Sequence, residues 1–331
     1  MRIAINGFGR IGRSVFRILD QIENIEVVAI NDLSEQESLA YLLKYDTVMG
    51  KFHGNIRIED NKMITDNDSV QMFSERDPSN LPWKDFDVDV VIESTGVFTK
   101  RRLLENHLNS GAKKVLLTVP AKDEIDNTIV LGVNEDSLTR DHRIVSNASC
   151  TTNCLAPMAK ILDNEFGIKQ GVMNTIHAYT NDQRLADVPH SDFRRSRAAA
   201  ENIIPTSTGA ARAVGKVLPQ LQGKLDGIAS RVPVPDGSVV DLFVELGSEV
   251  TVNDVNKAVL DASKSSQMKN VLYYSENPIV SSDIIGNPFS SIYDSRCTKV
   301  VSGKYVRTLN WYDNEWGYSN RVVDLIQLMC N

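Results

Sequence analysis

The chain is poor in cysteine, in aromatic residues and in excess positive charge. Its 331 residues include four cysteines, Cys150, Cys154, Cys297 and Cys330, too few for a disulfide scaffold. Cys150 and Cys154 lie four residues apart, but no second Cys or His pair of zinc spacing accompanies them, so no metal site is expected. No apolar run approaches the roughly 18 residues of a membrane span. The start, Met1-Arg2-Ile3-Ala4-Ile5-Asn6, runs straight into glycines and lacks the apolar core of a secretory signal, so a cytoplasmic location is expected. With 36 basic against 43 acidic residues the net charge is −7, which offers no general surface for nucleic acid. One local exception is the basic run Arg194, Arg195, Arg197. What remains is an ordinary soluble composition, 42% hydrophobic and 24% charged. At roughly 150 residues per domain, the length suggests two domains.

The first half reads as a dinucleotide fold. A short apolar strand, Arg2–Ile5, leads into Gly7-Phe8-Gly9-Arg10-Ile11-Gly12. Ile11, Val15, Ile18 and Leu19 then recur at helical spacing. A second strand, Ile25–Ile30, ends at Asn31-Asp32, and Asp32 follows Gly12 by twenty residues. In such a turn the first glycine allows the tight bend, the second lets backbone approach a pyrophosphate, and the third packs helix on strand. The helix N-terminus offers N–H groups and a positive dipole end to the phosphates. Asp32 can accept from ribose hydroxyls and would repel a 2′-phosphate, which favours NAD over NADP. Further apolar runs, Val88–Ile92, Val115–Thr118, Ile129–Leu131 and Ile144–Val145, suit parallel strands buried on both faces. Thr95 and Thr118, at the carboxyl ends of two of them, are placed to line a cofactor cleft.

The chemistry concentrates at Ser149-Cys150-Thr151-Thr152-Asn153-Cys154. Leu155, Met158, Ala159, Ile161 and Leu162 then form a helical apolar stripe, which puts Cys150 at or next to a helix N-terminus. There the dipole and free N–H groups favour a thiolate, and a thiolate is both nucleophile and acyl leaving group. Cys154, one turn on, reads as structural. Such a thiol needs a base. His53, His107 and His142 lie in polar, surface-like stretches and His190 in a polar loop. His177, at the end of the strand Val172–Ile176, is the best candidate on spacing.

These motifs resemble those of the glyceraldehyde-3-phosphate dehydrogenase family. The likeness runs end to end. It takes in Ser149-Cys150-Thr151-Thr152-Asn153, the glycine turn, Lys44-Tyr45-Asp46, His177-Ala178-Tyr179-Thr180, Arg197-Ala198-Ala199-Ala200, the run from Ile204 to Ala211, and Trp311-Tyr312-Asp313-Asn314-Glu315-Trp316-Gly317-Tyr318. The resemblance implies an α/β fold: a Rossmann-type doubly wound parallel sheet (1–149, completed by a C-terminal helix, 314–331) and an α+β catalytic domain with a mostly antiparallel sheet (150–313). It implies NAD as cofactor, held by Arg10, Ile11, Asp32, Arg76, Thr118 and Asn314. Cys150 is implied as the nucleophile and His177 as base and oxyanion partner, with glyceraldehyde 3-phosphate and inorganic phosphate as substrates. Thr180 and Arg231 would serve the substrate phosphate. Ser149, Thr151, Arg195, Thr208 and Gly209 would serve the attacking phosphate. For Arg194 and Arg197 a solvated or salt-bridged face is expected. The resemblance also implies a homotetramer, with the long polar loop from Tyr179 to Asn202 at its interfaces. Val188-Pro189, like Asp32, resembles NAD-preferring members.

Departures from the pattern are few: Val119 for a frequent alanine, Asp236-Gly237 for a common Asn-Val pair, and Ser230 for a larger apolar residue. Erythrose-4-phosphate dehydrogenases share the fold, thiol and histidine, but tend to lose the Thr180 and Thr208-Gly209 features kept here. A silent NAD-binding protein on the same scaffold is the rival of another class; against it, every reacting position is filled.

Overall fold

A computed structural model describes residues 1–330. The chain forms two compact units. The first comprises 1–129, 136–148 and the residues from Ser319 onward; the second comprises 130–135 and 149–318. The sequence boundary at 149/150 thus differs by one residue. The segment 130–135 clusters with the second unit, where Lys160 Nζ donates to the carbonyls of Gly132 and Val133 at 3.1 and 2.9 Å.

Apart from a separate two-stranded ribbon of Tyr45–Asp46 and Gly50–Lys51, the first unit is built on one nine-stranded sheet. Its strands are β1 (Arg2–Asn6), β2 (Glu26–Asn31), β3 (Arg57–Glu59), β4 (Lys62–Ile64), β5 (Ser69–Phe73), β6 (Val90–Glu93), β7 (Lys114–Leu117), β8 (Asn127–Thr128) and β9 (Ile144–Ser146). The order across the sheet is β8-β9-β7-β6-β1-β2-β5-β4-β3. All neighbours from β8 to β5 are parallel; only β5-β4 and β4-β3 are antiparallel. β1, β2, β6 and β7 are buried along nearly their whole length, the pattern of strands covered on both faces. Strand order runs outward in both directions from β1, so the carboxyl ends of β1, β2 and β6 meet at a topological switch point. Helices α1 (Arg10–Leu19), α2 (Gln36–Lys44) and α3 (Arg101–Asn109) belong to this unit. One face packs Ala4, Ala29 and Val91 with Leu81, Trp83 and Val88; another packs Val115, Leu117 and Ile144 with Leu104.

The second unit carries α4 (Cys150–Phe166), α5 (Ala210–Val217) and α6 (Val252–Ser263). Its strands are β10 (Ile168–Ala178), β11 (Ile204–Ser207), β12 (Leu225–Val232), β13 (Ser238–Leu246), β14 (Leu272–Ser275), β15 (Ser291–Asp294), β16 (Lys299–Val301) and β17 (Tyr305–Tyr312). The order is β11-β12-β10-β13-β17-β15-β14, with β16 also on β17. Only β10-β12 and β14-β15 are parallel. The last helix, α7 (Trp316–Cys330), belongs to the first unit from Ser319 onward, where Lys114 Nζ donates to the Met329 carbonyl at 2.6 Å. The α/β class is as expected: a parallel dinucleotide-type sheet and a mostly antiparallel one.

Two expectations need correction. Ile129–Leu131 is not a strand: β8 is Asn127–Thr128, and the apolar residues beyond it turn at Gly132, whose φ is +83°. Ile129 and Val130 are fully buried there, so the apolar signal reported burial, not extension. His107 is not a surface residue; it is fully buried on the inner face of α3 with Leu104.

Candidate functional site

The first unit holds a cavity of about 340 Å³ at the switch point, lined by residues that include Asn6, Gly7, Asp32, Arg76 and Thr95. The glycines that shape its rim divide their work as the sequence suggests. Gly7 has φ +94°, and a Cβ there would lie 2.7 Å from Thr95 N. A Cβ on Gly12 would lie 2.2 Å from the Gly7 carbonyl oxygen. At Gly9 nothing stands within 4 Å, which leaves the backbone open to a ligand at the start of α1. Asp32 is held at the end of β2, its two oxygens accepting from Phe8 N (2.8 Å) and Ser34 N (2.9 Å). Its remaining lone pairs suit ribose hydroxyls. These features fit a dinucleotide.

The other cofactor candidates are used differently. The Arg10 side chain forms a two-pronged pair with Asp46, at 2.9 and 3.1 Å. What Arg10 and Ile11 offer a dinucleotide is thus backbone at the first turn of α1. Arg76 is exposed on the cavity rim. The Thr118 hydroxyl donates to the Glu93 carbonyl at 3.1 Å and is buried. Asn314 lies in the second unit, its Oδ1 accepting from Ser238 Oγ at 2.6 Å.

The thiol site is assembled within the second unit. Ser149 caps α4, its Oγ accepting from Thr152 N at 3.0 Å, so Cys150 is the first helical residue. Ala148, just before it, takes φ +54°, unusual for a residue with a Cβ. Strand register does the rest. His177 on β10 sits directly beside Arg231 on parallel β12, and Ser238 opens β13 opposite Tyr312 on β17. Cys150 Sγ is 3.6 Å from His177 Nε2 and 4.0 Å from Thr151 Oγ1. The Tyr312 hydroxyl bridges Thr151 Oγ1 and Thr175 Oγ1, each at 2.8 Å, and its ring packs edge-on against His177.

Burial dominates the electrostatics. It pushes the Cys150 thiol up, against the pull of the Arg231 charge and of Thr151. Burial, then Arg231, lowers His177 to about 3. At neutral pH the resting site therefore holds a thiol and a neutral imidazole, not the thiolate that the helix terminus alone would favour. Arg231 Nη1 lies 2.5 Å from His177 Nδ1 and 3.0 Å from the Ala178 carbonyl. His177 Nδ1 lies 2.8 Å from the same carbonyl, so an Nδ1–H donates there and leaves Nε2 facing the sulfur as an acceptor. The Arg231 Nε is buried without a hydrogen-bond partner.

The remaining candidates surround α4 and α5. Gly209 caps α5 with open space before it, and Thr208 Oγ1 accepts from Ala210 N at 3.2 Å. Thr152 Oγ1 reaches the Ala210 carbonyl at 3.5 Å, which places the first turns of the two helices together. Two helix N-termini there favour an anion. Thr180 is turned into its own loop, its N and Oγ1 donating to Gln183 Oε1 at 3.0 and 3.1 Å. Arg195 pairs with Asp182 at 2.5 Å and with Asp192 at 3.2 Å. Arg197 pairs with Asp187 at 2.9 Å, and Arg194 is exposed.

Sequence reasoning gave no role to Tyr312, although it lies in the quoted Trp311–Tyr318 motif, nor to the buried carboxyls Glu93, Asp236 and Asp313. Asp236 carried one signal, as a departure from the common Asn.

The chain is similar to known proteins along its whole length. Residues 149–314 match the model of the glyceraldehyde 3-phosphate dehydrogenase C-terminal domain, and residues 1–101 match that of the glyceraldehyde 3-phosphate dehydrogenase NAD binding domain. A glyceraldehyde-3-phosphate dehydrogenase of Streptomyces coelicolor is 56% identical, over 100% of this chain and 99% of its own. That of Borreliella burgdorferi is also 56% identical, over 99% of each. That of Geobacillus stearothermophilus is 54% identical, over 98% of this chain and 97% of its own.

Proposed function

The chain belongs to the glyceraldehyde-3-phosphate dehydrogenase family, and from that premise we propose that it oxidises and phosphorylates D-glyceraldehyde 3-phosphate to 1,3-bisphosphoglycerate with NAD and inorganic phosphate. The observation that carries the reading is the pair Cys150 and His177, sulfur to Nε2 at 3.6 Å, with the sulfur at a helix N-terminus.

Cys150 attacks the aldehyde carbon. Its proton passes to His177 Nε2, while Nδ1–H donates to the Ala178 carbonyl 2.8 Å away and Arg231 turns to the substrate phosphate. Protonated His177 and the Cys150 N–H hold the resulting oxyanion. Bound NAD supplies a hydride acceptor. Cys150 then carries the acyl group as a thioester, which an oxygen of inorganic phosphate attacks, with the thiolate leaving. Thr180 and Arg231 hold the substrate phosphate. Ser149, Thr151, Arg195, Thr208 and Gly209 hold the attacking phosphate; hydroxyls and N–H groups donate, and guanidinium pairs bidentately. Arg195 exchanges an aspartate for phosphate when it does so. Arg10, Ile11, Asp32, Arg76, Thr118 and Asn314 bind NAD, with Asn314 on the carboxamide.

A steady-state assay on glyceraldehyde 3-phosphate, varying NAD against NADP and phosphate against arsenate, tests reaction, cofactor and anion site together. Phosphate-independent oxidation, with erythrose 4-phosphate preferred, would count against this reading. Asp32→Ala is expected to relax the NAD preference by about 10-fold or more, since it removes the charge that would repel a 2′-phosphate and the acceptor for the ribose hydroxyls. A variant as selective as the parent would move the selectivity to the loop around Pro189.

The working form is a cytoplasmic homotetramer. Support for assembly comes from the open face of the second sheet. Val172, Ile228, Phe243, Val301 and Tyr305 are each about half exposed or more there, and Val172, Phe243, Val301 and Tyr305 line a groove of about 710 Å³. Light scattering is expected to give a mass near four chains; a monomer would refute it.

A further inference from the structure

Glu93 ends β6 fully buried, and it has no role in the chemistry above. Four donors converge on its carboxylate. Thr95 N (2.9 Å) and the Thr95 hydroxyl meet Oε1. Asn6 Nδ2 (2.6 Å) and His107 Nε2 (3.0 Å) meet Oε2. The roles of these partners are fixed from behind. Trp83 Nε1 donates to His107 Nδ1 at 3.0 Å, so the imidazole is neutral and its proton sits on Nε2. Asn31 Nδ2 donates to Asn6 Oδ1 at 2.7 Å, which fixes the Asn6 amide with its NH₂ toward Glu93. Asn31 in turn exchanges bonds with the backbone of Glu75, at 2.7 and 2.9 Å. Trp83, His107, Asn6 and Asn31 are all buried.

The chain of bonds thus ties together the carboxyl ends of β1, β2 and β6. Those ends supply Asn6, Asn31 and Thr95 to the wall of the cavity that holds Asp32 and Arg76. We propose that Glu93 is the positioning residue of the dinucleotide cleft, and that it acts only as a carboxylate, with His107 as its neutral relay to Trp83. This rests on the reading of that cavity as the NAD site.

The donor pattern gives a sharp test. Glutamine has the shape of glutamate, but one end of its amide is NH₂. Whichever way it turns, that NH₂ faces donors, Thr95 N–H at one end or His107 Nε2–H and the Asn6 amide at the other. Glu93→Gln is therefore expected to weaken NAD binding by about 10-fold or more, because buried donors are left unpaired. Titration of NAD by fluorescence reads the dissociation constant. KM for NAD should rise in step, while kcat at saturating NAD, KM for the aldehyde and the rate of Cys150 alkylation without NAD stay at parental values. A purely structural role would shift thermal stability without this split.

His107 supplies a second arm should Glu93→Gln fold poorly. His107→Gln can place its NH₂ on Glu93 and its carbonyl oxygen on Trp83 Nε1, so NAD affinity should stay near the parent. His107→Leu removes both bonds and should weaken NAD binding. Equal affinities in the two His107 variants, or a parental dissociation constant in Glu93→Gln, would overturn the proposal. Asp32→Ala separates the two layers of the argument. If it alters cofactor binding while Glu93→Gln does not, the cleft reading stands and the positioning role falls. If neither alters it, both fall.

Discussion

Cys150→Ser is expected to lower turnover by on the order of 10⁴-fold or more while NAD binding changes little, as for loss of a nucleophile elsewhere. A serine hydroxyl at this helix terminus has the same geometry and the same partner, His177, 3.6 Å from the sulfur it replaces. It differs in two chemical respects. Its oxyanion is far harder to form, and an oxygen ester surrenders its acyl group to phosphate less readily than a thioester does. NAD binding should survive because the dinucleotide turn and Asp32 belong to the other unit. One equivalent of iodoacetate on the parent should abolish activity in the same way. Cys154 will not mimic the effect: it is fully buried, and burial holds its thiol far above the usual range. Unchanged turnover in Cys150→Ser would remove the thiol from the mechanism. NAD binding without turnover in the parent would favour a silent binding protein.

Local features were legible in the sequence and pairings across the sheet were not. The glycine turn could be read because each glycine acts within its own strand-turn-helix: a Cβ would clash at Gly7 and Gly12 and meet open space at Gly9. The position of Cys150 at a helix start was legible from the polar run before an apolar stripe. That Arg231 meets His177 was not, since they are 54 residues apart and are brought together by parallel register between β10 and β12. The Arg10–Asp46 pair hides in the same way, 36 residues apart. His107 was misjudged because α3 is polar overall; only packing on the sheet decides which face of it is inside. The antiparallel strands β3 and β4 at the sheet edge are short and mostly polar, and leave no apolar signal to read.

The resting state of the thiol site follows from the same non-local contacts. A helix N-terminus by itself argues for a thiolate, but burial pushes the Cys150 thiol up and His177 down. Arg231 on Nδ1 adds to the second shift. An anion that draws Arg231 away removes part of that penalty. On the proposed reading, one guanidinium would link substrate phosphate and base, which is a reason for the phosphate site to adjoin the histidine.

Asp236→Asn is expected to stabilise the chain, by a margin that widens as pH rises from about 4 toward 9. Asp236 is 1% exposed, and burial beside Asp313 and Glu315 pushes its carboxyl up to about 9. Asp313 is already a caged carboxylate. Its Oδ2 accepts from Gly286 N at 2.7 Å, and its Oδ1 from Glu315 N and Trp316 N at 2.9 and 2.6 Å, at the start of α7. Asp236 Oδ1 accepts from Gly237 N at 2.8 Å, and Oδ2 meets no protein donor. Burial of the two neighbouring carboxyls pushes both up, so the folded chain favours keeping one proton on the pair. The folded chain retains that proton, whereas the unfolded chain releases it above about pH 4. Stability from this group is complete below that pH and is lost as pH rises through the folded value. Asparagine supplies both bonds without a proton to lose: its Oδ1 accepts from Gly237 N and its NH₂ donates to Asp313. At about 1.4 kcal/mol per pH unit, the gap between variant and parent amounts to about 2–5 kcal/mol at pH 7.5. Thermal denaturation of the two proteins across pH 4–9 measures it. The curves should meet near the acid end and diverge steadily above it. Parallel curves would show that Asp236 is ionised in the folded chain and that its contact with Asp313 holds no proton.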